Sequence, residues 1–101
     1  MPDSPSDDLS PLGLLDNRRR RLLFRATHRG THENDLLIGG YVAARIHTLS
    51  ETEITALEEV MELPDTDLAD WLTGRQPIPP ESDSPTLRAI RAAALERHPP
   101  A

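Results

Sequence analysis

The chain contains no cysteine. Disulfides, thiolate catalysis and cysteine-ligated zinc or iron–sulfur centres are excluded at once. Lysine is absent too, and all eleven basic residues are arginine. That removes Schiff-base chemistry and a phosphate-loop lysine. Aromatics are scarce, with Phe24, Tyr41 and Trp71 as the full set. No apolar run approaches the roughly 18 residues that span a bilayer. No phosphate loop, nucleophile elbow or dinucleotide fingerprint occurs.

What remains is a 101-residue chain with enough aliphatic material for one thin core and little for a large enclosed active site. Net charge is −6, which argues against general affinity for nucleic acid. The charge is segregated. Residues 18–29 carry six arginines and no acid, whereas residues 46–74 carry eight acids and no arginine. A basic first segment and an acidic middle follow. The N-terminus lacks the layout of a secretory signal and is too acidic for a mitochondrial transit peptide, so a cytoplasmic protein is expected.

The periodicity predicts an all-α fold: a small five-helix bundle with a disordered N-terminal leader. Residues 1–15 are the leader, 16–98 one helical domain, and 99–101 a frayed tail. The first helix spans roughly 16–29, capped by Asp16 or Asn17, with Leu22, Leu23 and Ala26 inward. Gly30 sits where a helix stop is expected. Thr31 caps a second helix over roughly 32–48, whose first turn holds Glu33 and Asp35 and whose stripe is Leu37, Ile38, Tyr41, Val42 and Ile46. Gly39-Gly40 inside it costs about 2 kcal/mol against alanine, so either the helix breaks or something packs close; a continuous helix is expected. Ser50-Glu51-Thr52-Glu53 is a capping box for the third helix, which carries Ile54, Leu57, Val60 and Met61 and stops at Leu63-Pro64. Asp65 is read as the cap of a short fourth helix, 65–73, with Leu68, Trp71 and Leu72 inward. Ser84-Pro85 opens the fifth, with Leu87, Ile90 and Ala94 inward.

Four consecutive arginines, Arg18 to Arg21, spread over every face of a helix. They read first as a solvated start paired with nearby acids, then as a patch for an acidic partner, and last as a nucleic-acid site. His28 and His32 have metal-ligand spacing, but Gly30 between them breaks the geometry, so no metal is expected. Glu58, Glu59 and Glu62 read as the wet face of the third helix. No paired carboxylates suggest a pocket, and catalysis is not expected.

The junction Arg29-Gly30-Thr31-His32-Glu33 admits two readings. Gly30 is only a helix stop and Glu33 only a complement to the helix dipole. Alternatively the corner is a contact site: Gly30 lets a partner's backbone approach, Arg29 grips a carbonyl or carboxylate, and Glu33 holds a partner's polar group.

At these residues the chain resembles the succinate dehydrogenase assembly factor 2 family, whose signature Arg-Gly-x-x-Glu stands here as Arg29-Gly30-Thr31-His32-Glu33. The resemblance extends over about residues 18–80. It takes in the preceding arginines, Asp35-Leu36-Leu37-Ile38, Tyr41, Leu49-Ser50-Glu51, Pro64-Asp65-Thr66-Asp67-Leu68-Ala69-Asp70-Trp71-Leu72, and Gly74 to Pro77. Gly39-Gly40 departs from the bulkier residues usual in that helix. The resemblance implies a five-helix bundle that is not itself an enzyme. It implies an assembly factor that promotes covalent attachment of FAD to the flavoprotein subunit of succinate dehydrogenase, and of fumarate reductase in some bacteria. The FAD is the client's, with no cofactor held tightly by this chain. Arg29, Gly30 and Glu33 are the central partner-binding positions it implies, with Thr31, His32 and Asp35 as lesser ones. A helical nucleic-acid regulator acting through residues 18–29 is the alternative.

Overall fold

A computed structural model describes residues 16–97. The expected leader, 1–15, and the tail, 99–101, lie outside the described residues. Five helices follow one another: α1 Asn17–Thr27, α2 His32–Arg45, α3 Glu51–Met61, α4 Asp65–Leu72 and α5 Pro85–Arg97. There is no strand among the described residues.

Local signals account for most boundaries. The Asp16 side chain accepts from the Arg19 backbone N–H at 2.8 Å, and Thr31 accepts from Asn34 at 3.3 Å. At α3 the capping box is complete: Ser50 Oγ accepts from the Glu53 N–H while the Glu53 carboxylate accepts from the Ser50 N–H. Ser84 Oγ accepts from the Leu87 N–H at the start of α5. Two helices are shorter than their patterns predict. The first ends at Thr27, where the Thr27 and His28 side chains take up the Leu23 and Phe24 carbonyls. The second ends at Arg45, and Thr48 closes a tighter turn onto the Arg45 carbonyl. Asp65 is not the cap of α4. Pro64 holds that position without a side-chain hydrogen bond, and Asp65 is the first helical residue.

The inward stripes meet in one core. Leu22, Ile38, Ile54, Leu57, Leu68, Leu72, Leu87 and Ile90 are fully buried. Leu23, Leu37 and Tyr41 lie only partly buried at its edge. Leu49, in the α2–α3 connection, joins the core, as helical periodicity could not show.

The double glycine lies inside an unbroken α2, and its two members face different neighbours. Gly39 meets α1: a Cβ there would stand 2.9 Å from Thr27 Cγ2, 3.1 Å from the Ala26 carbonyl oxygen and 3.2 Å from Thr27 Cα. The helices cross backbone to backbone at this point. Gly40 faces α5, where an added Cβ would meet only the Arg97 Nη1 at 3.1 Å.

The basic first helix is fastened to the acidic third. Arg18 donates to Glu51 and Glu58 carboxylates and to Thr55 Oγ1, each at 2.7 Å. Arg19 reaches the Ile46 and Leu49 carbonyls, and Arg25 pairs with Glu62. The Arg18 hydrogen bond holds the Glu58 carboxyl below its ordinary range.

Two predictions follow from packing and one from charge. Gly39→Ala overpacks the α1–α2 crossing at a cost of about 1–3 kcal/mol, more than its propensity gain, and lowers the thermal midpoint. Gly40→Ala gains about 0.8–1 kcal/mol of helix propensity against a movable side chain and raises the midpoint by several degrees. Thermal unfolding followed by circular dichroism separates the two signs. A depressed folded-state pKa at Glu58 stabilises fully above the ordinary value of about 4.5 and is lost as pH falls through the folded value. Glu58→Gln therefore lowers stability at neutral pH, leaves the acid end of a stability-versus-pH titration little changed, and so flattens its acid limb.

Candidate functional site

The corner between α1 and α2 is made by His28 to Thr31. Gly30 adopts φ +101°, a conformation that side chains rarely take, and nothing stands within 4 Å of where its Cβ would be. The backbone at the tip is therefore bare and open. The Arg29 N–H donates to the Asp35 carboxylate at 2.5 Å, and the Asp35 N–H donates to the Thr31 carbonyl at 3.0 Å. Asp35 thus ties the corner to the first turn of α2.

Arg29 is where a contact site would be expected to display a cation, yet its side chain is only 10% exposed. The guanidinium turns inward, to the α3–α4 junction. Its Nε donates to Asp65 Oδ1 at 2.9 Å, Nη1 to the Met61 carbonyl at 2.7 Å and Nη2 to the Leu63 carbonyl at 3.0 Å. The last carbonyls of a helix have no partner within it and carry its negative dipole end, so a cation there satisfies both needs. Asp65 sits in turn at the positive start of α4. Asn34 is fully buried beside it, its Nδ2 donating to the Asp65 carbonyl at 2.9 Å and carboxylate at 3.1 Å. One arginine and one amide therefore lock the corner to the next helical junction. The carbonyl and carboxylate that Arg29 grips belong to its own chain.

Gly30, Thr31, His32 and Glu33 are exposed side by side on the outer side of this lock. Thr31 caps α2. The Glu33 carboxylate lies 3.6 Å from Arg75 Nη2, and Arg75 Nε also pairs with Asp70 at 3.1 Å. The Asp70 hydrogen bond, and behind it the Glu33 charge, hold Arg75 still more firmly protonated. Glu33 is thus screened by a half-exposed arginine. Next to it opens a cleft of about 470 Å³, lined by His32, Glu33, Leu36, Leu37, Leu72, Thr73 and Ala94. Leu36 is 52% exposed at this cleft. The six positions separate: Arg29 and Asp35 build the corner, and Gly30, Thr31, His32 and Glu33 present it.

The sequence reading missed the inward turn of Arg29, the burial of Asn34 and the apolar cleft. One signal was available. A helix end at Met61–Leu63 followed at once by Pro64 and Asp65 leaves carbonyls and a carboxylate that call for a cation.

The cleft beside Glu33 is acid-rimmed. Its one charged lining residue is the Glu33 carboxylate, and Asp35 stands in the same helix turn, so a pyrophosphate would meet like charge. His28 stacks on Phe24 with centroids 4.0 Å apart and holds its Nδ1 against the Phe24 carbonyl. Among the described residues no group of three or more histidines and acids is placed to hold a metal. No helix among them is long and apolar enough to cross a membrane.

The model of a protein family described as flavinator of succinate dehydrogenase matches residues 20–94, from α1 into α5. The FAD assembly factor SdhE of Acetobacter pasteurianus is 49% identical over 91 residues, covering 86% of this chain and 84% of that protein. The mitochondrial succinate dehydrogenase assembly factor 2 of Arabidopsis thaliana is 35% identical over 86 residues, 80% of this chain and 45% of that protein. That of Dictyostelium discoideum is 29% identical over 77 residues, 76% of this chain and 55% of that protein. The chain thus spans about half the length of these mitochondrial relatives. No solved structure matches it significantly.

Removing the Arg29 guanidinium leaves Asp65 and two carbonyls without their partner. Arg29→Ala is expected to cost about 3 kcal/mol of stability, as for one member of a buried pair. Glu33→Ala, at an exposed first-turn position, costs less than about 1 kcal/mol. Urea unfolding of the two variants measures the difference.

Proposed function

Because the chain belongs to the family described as flavinator of succinate dehydrogenase, we propose that it is an assembly factor promoting covalent attachment of FAD to the flavoprotein subunit of that enzyme. It does so by binding, with no chemistry of its own, in the cytoplasm. The observation that carries this reading is the lock beneath the corner. Arg29, Asn34 and Asp65 hold the Gly30–Glu33 surface rigid before any partner arrives.

A preorganised surface loses little conformational freedom on docking, so more of its contact energy shows as affinity. Its effect on the client follows from population shift. A client that rarely visits the arrangement needed to link flavin and histidine is moved toward it by whatever binds that arrangement better. A hundredfold preference for the reactive arrangement, about 2.7 kcal/mol, changes its population ratio a hundredfold. Gly30 allows main chain to approach main chain. Glu33 exchanges Arg75 for a polar or cationic group of the client and orients it. The flavin belongs to the client, in keeping with the acid-rimmed cleft that would repel its pyrophosphate. The fumarate reductase flavoprotein is a second client in this reading.

The test is deletion of the gene, followed by flavin fluorescence of the succinate dehydrogenase flavoprotein on a denaturing gel. Loss of the covalent flavin, restored by the wild-type chain and not by Glu33→Ala at equal abundance, is the expected result. Full restoration by Glu33→Ala would remove that carboxylate from the mechanism. Unchanged fluorescence in the deletion strain would remove the function. Co-expression with a fumarate reductase flavoprotein reads the second client by the same signal.

A further inference from the structure

The double glycine of α2 shapes a second surface. Gly40 has no side chain, and Arg97 Nη1 of α5 stands 3.1 Å from where its Cβ would be. One helical turn further along α2, Arg45 stacks over the Tyr41 ring at 3.8 Å and donates its Nη1 to the Tyr41 carbonyl at 3.1 Å. Arg45 and Arg97 line one small cleft between α2 and α5. Neither makes an ion pair among the described residues, although Glu96 stands at the same cleft. Elsewhere arginines are spent on carboxylates: Arg18, Arg25, Arg29, Arg75 and Arg88 all have one. Two guanidiniums at one cleft with no ion pair among the described residues, in a chain of net charge −6, make a local basic end.

This cleft is continuous with the apolar one beside Glu33. The two share Leu36, Leu37 and Ala94 as a common wall. Along α2 the groove runs from the Glu33 carboxylate, past half-exposed Leu36, to the Arg45 guanidinium. Those ends are about 18 Å apart at the helical rise.

We propose that the α2–α5 groove is a second docking element for the client: it takes a segment of the flavoprotein subunit whose carboxylate lies between Arg45 and Arg97 and whose apolar side chain enters the cleft at Leu36. This rests on the reading that the chain acts by binding that subunit. Charge complementarity chooses the occupant. The basic end accepts an acidic side chain, since planar guanidiniums match carboxylates, and the acid end refuses one. Stacking on Tyr41 and a hydrogen bond to its carbonyl hold Arg45 in place, so that side chain loses little freedom on binding. The Gly30–Glu33 corner and this groove then form one continuous face.

Titration calorimetry of the full chain with purified flavoprotein subunit tests this, at about 50 and about 300 mM salt. Wild-type affinity should fall with salt. The double variant Arg45→Gln, Arg97→Gln should bind at least about tenfold more weakly at the lower salt and lose most of the salt dependence. Arg88→Gln, on the same helix and paired with Asp83, should bind as wild type does. Gly40→Ala displaces Arg97 while favouring the helix, so it should weaken binding several-fold even as it raises the thermal midpoint. If the double variant and Gly40→Ala both bind like wild type while Glu33→Ala does not, the groove is idle and only the corner docks. If the wild-type chain itself fails to bind the subunit, the docking reading falls and the groove with it.

Discussion

A single guanidinium holds this bundle's working end together. Arg29 stands within the α1–α2 corner and spends its donors on the Met61 and Leu63 carbonyls and the Asp65 carboxylate. One side chain thereby caps the negative end of α3, neutralises the acid opening α4 and anchors the corner. Lysine could not do this, because a single ammonium lacks the planar fork that reaches several acceptors at once. Asn34 adds an amide to the same carboxylate and is the one buried polar side chain among the described residues. Everything outward of that network inherits its rigidity.

The arrangement divides labour inside a five-residue motif. Arg29 faces in and sets the shape; Gly30 and Glu33 face out and offer it. Gly30 contributes the absence of a side chain at a positive φ, where any other residue would strain the turn and obstruct approach. Glu33 contributes a carboxylate already balanced by Arg75, so that in the proposed docking a partner would exchange one ion pair for another instead of burying an uncompensated charge. The apolar cleft beside it supplies the area that polar groups alone cannot. A surface of this kind binds and positions, which is what an assembly factor requires.

The two adjacent glycines play unlike parts for a geometric reason. Successive residues on an α-helix point about 100° apart, so Gly39 looks toward α1 and Gly40 toward α5. The first permits close helix crossing. The second seats an arginine. Propensity alone records both as the same penalty. The stability of α2 despite that penalty comes from the packing of its apolar face, which outweighs intrinsic preference in most protein helices.

Local chemistry made much of this legible in advance. The caps at Asp16, Thr31, Ser50 and Ser84, the left-handed turn at Gly30, and the stripes of α3, α4 and α5 all depend on groups a few residues apart. Sequence carries such information directly. The basic α1 against the acidic α3 was foreshadowed by charge segregation. The cap of α4 was not legible, because Asp65 has the right residue type beside a helix start but is drawn away by Arg29, 36 residues earlier. The family signature identified Arg29, Gly30 and Glu33 as a unit without revealing that one faces inward. By itself, then, the amino-acid order determined five helices, most of their starts and the corner between the first two. Only the tertiary structure decided which way Arg29 turns, what each glycine meets and where a groove opens, because those depend on groups distant along the chain that folding alone brings within a few ångströms.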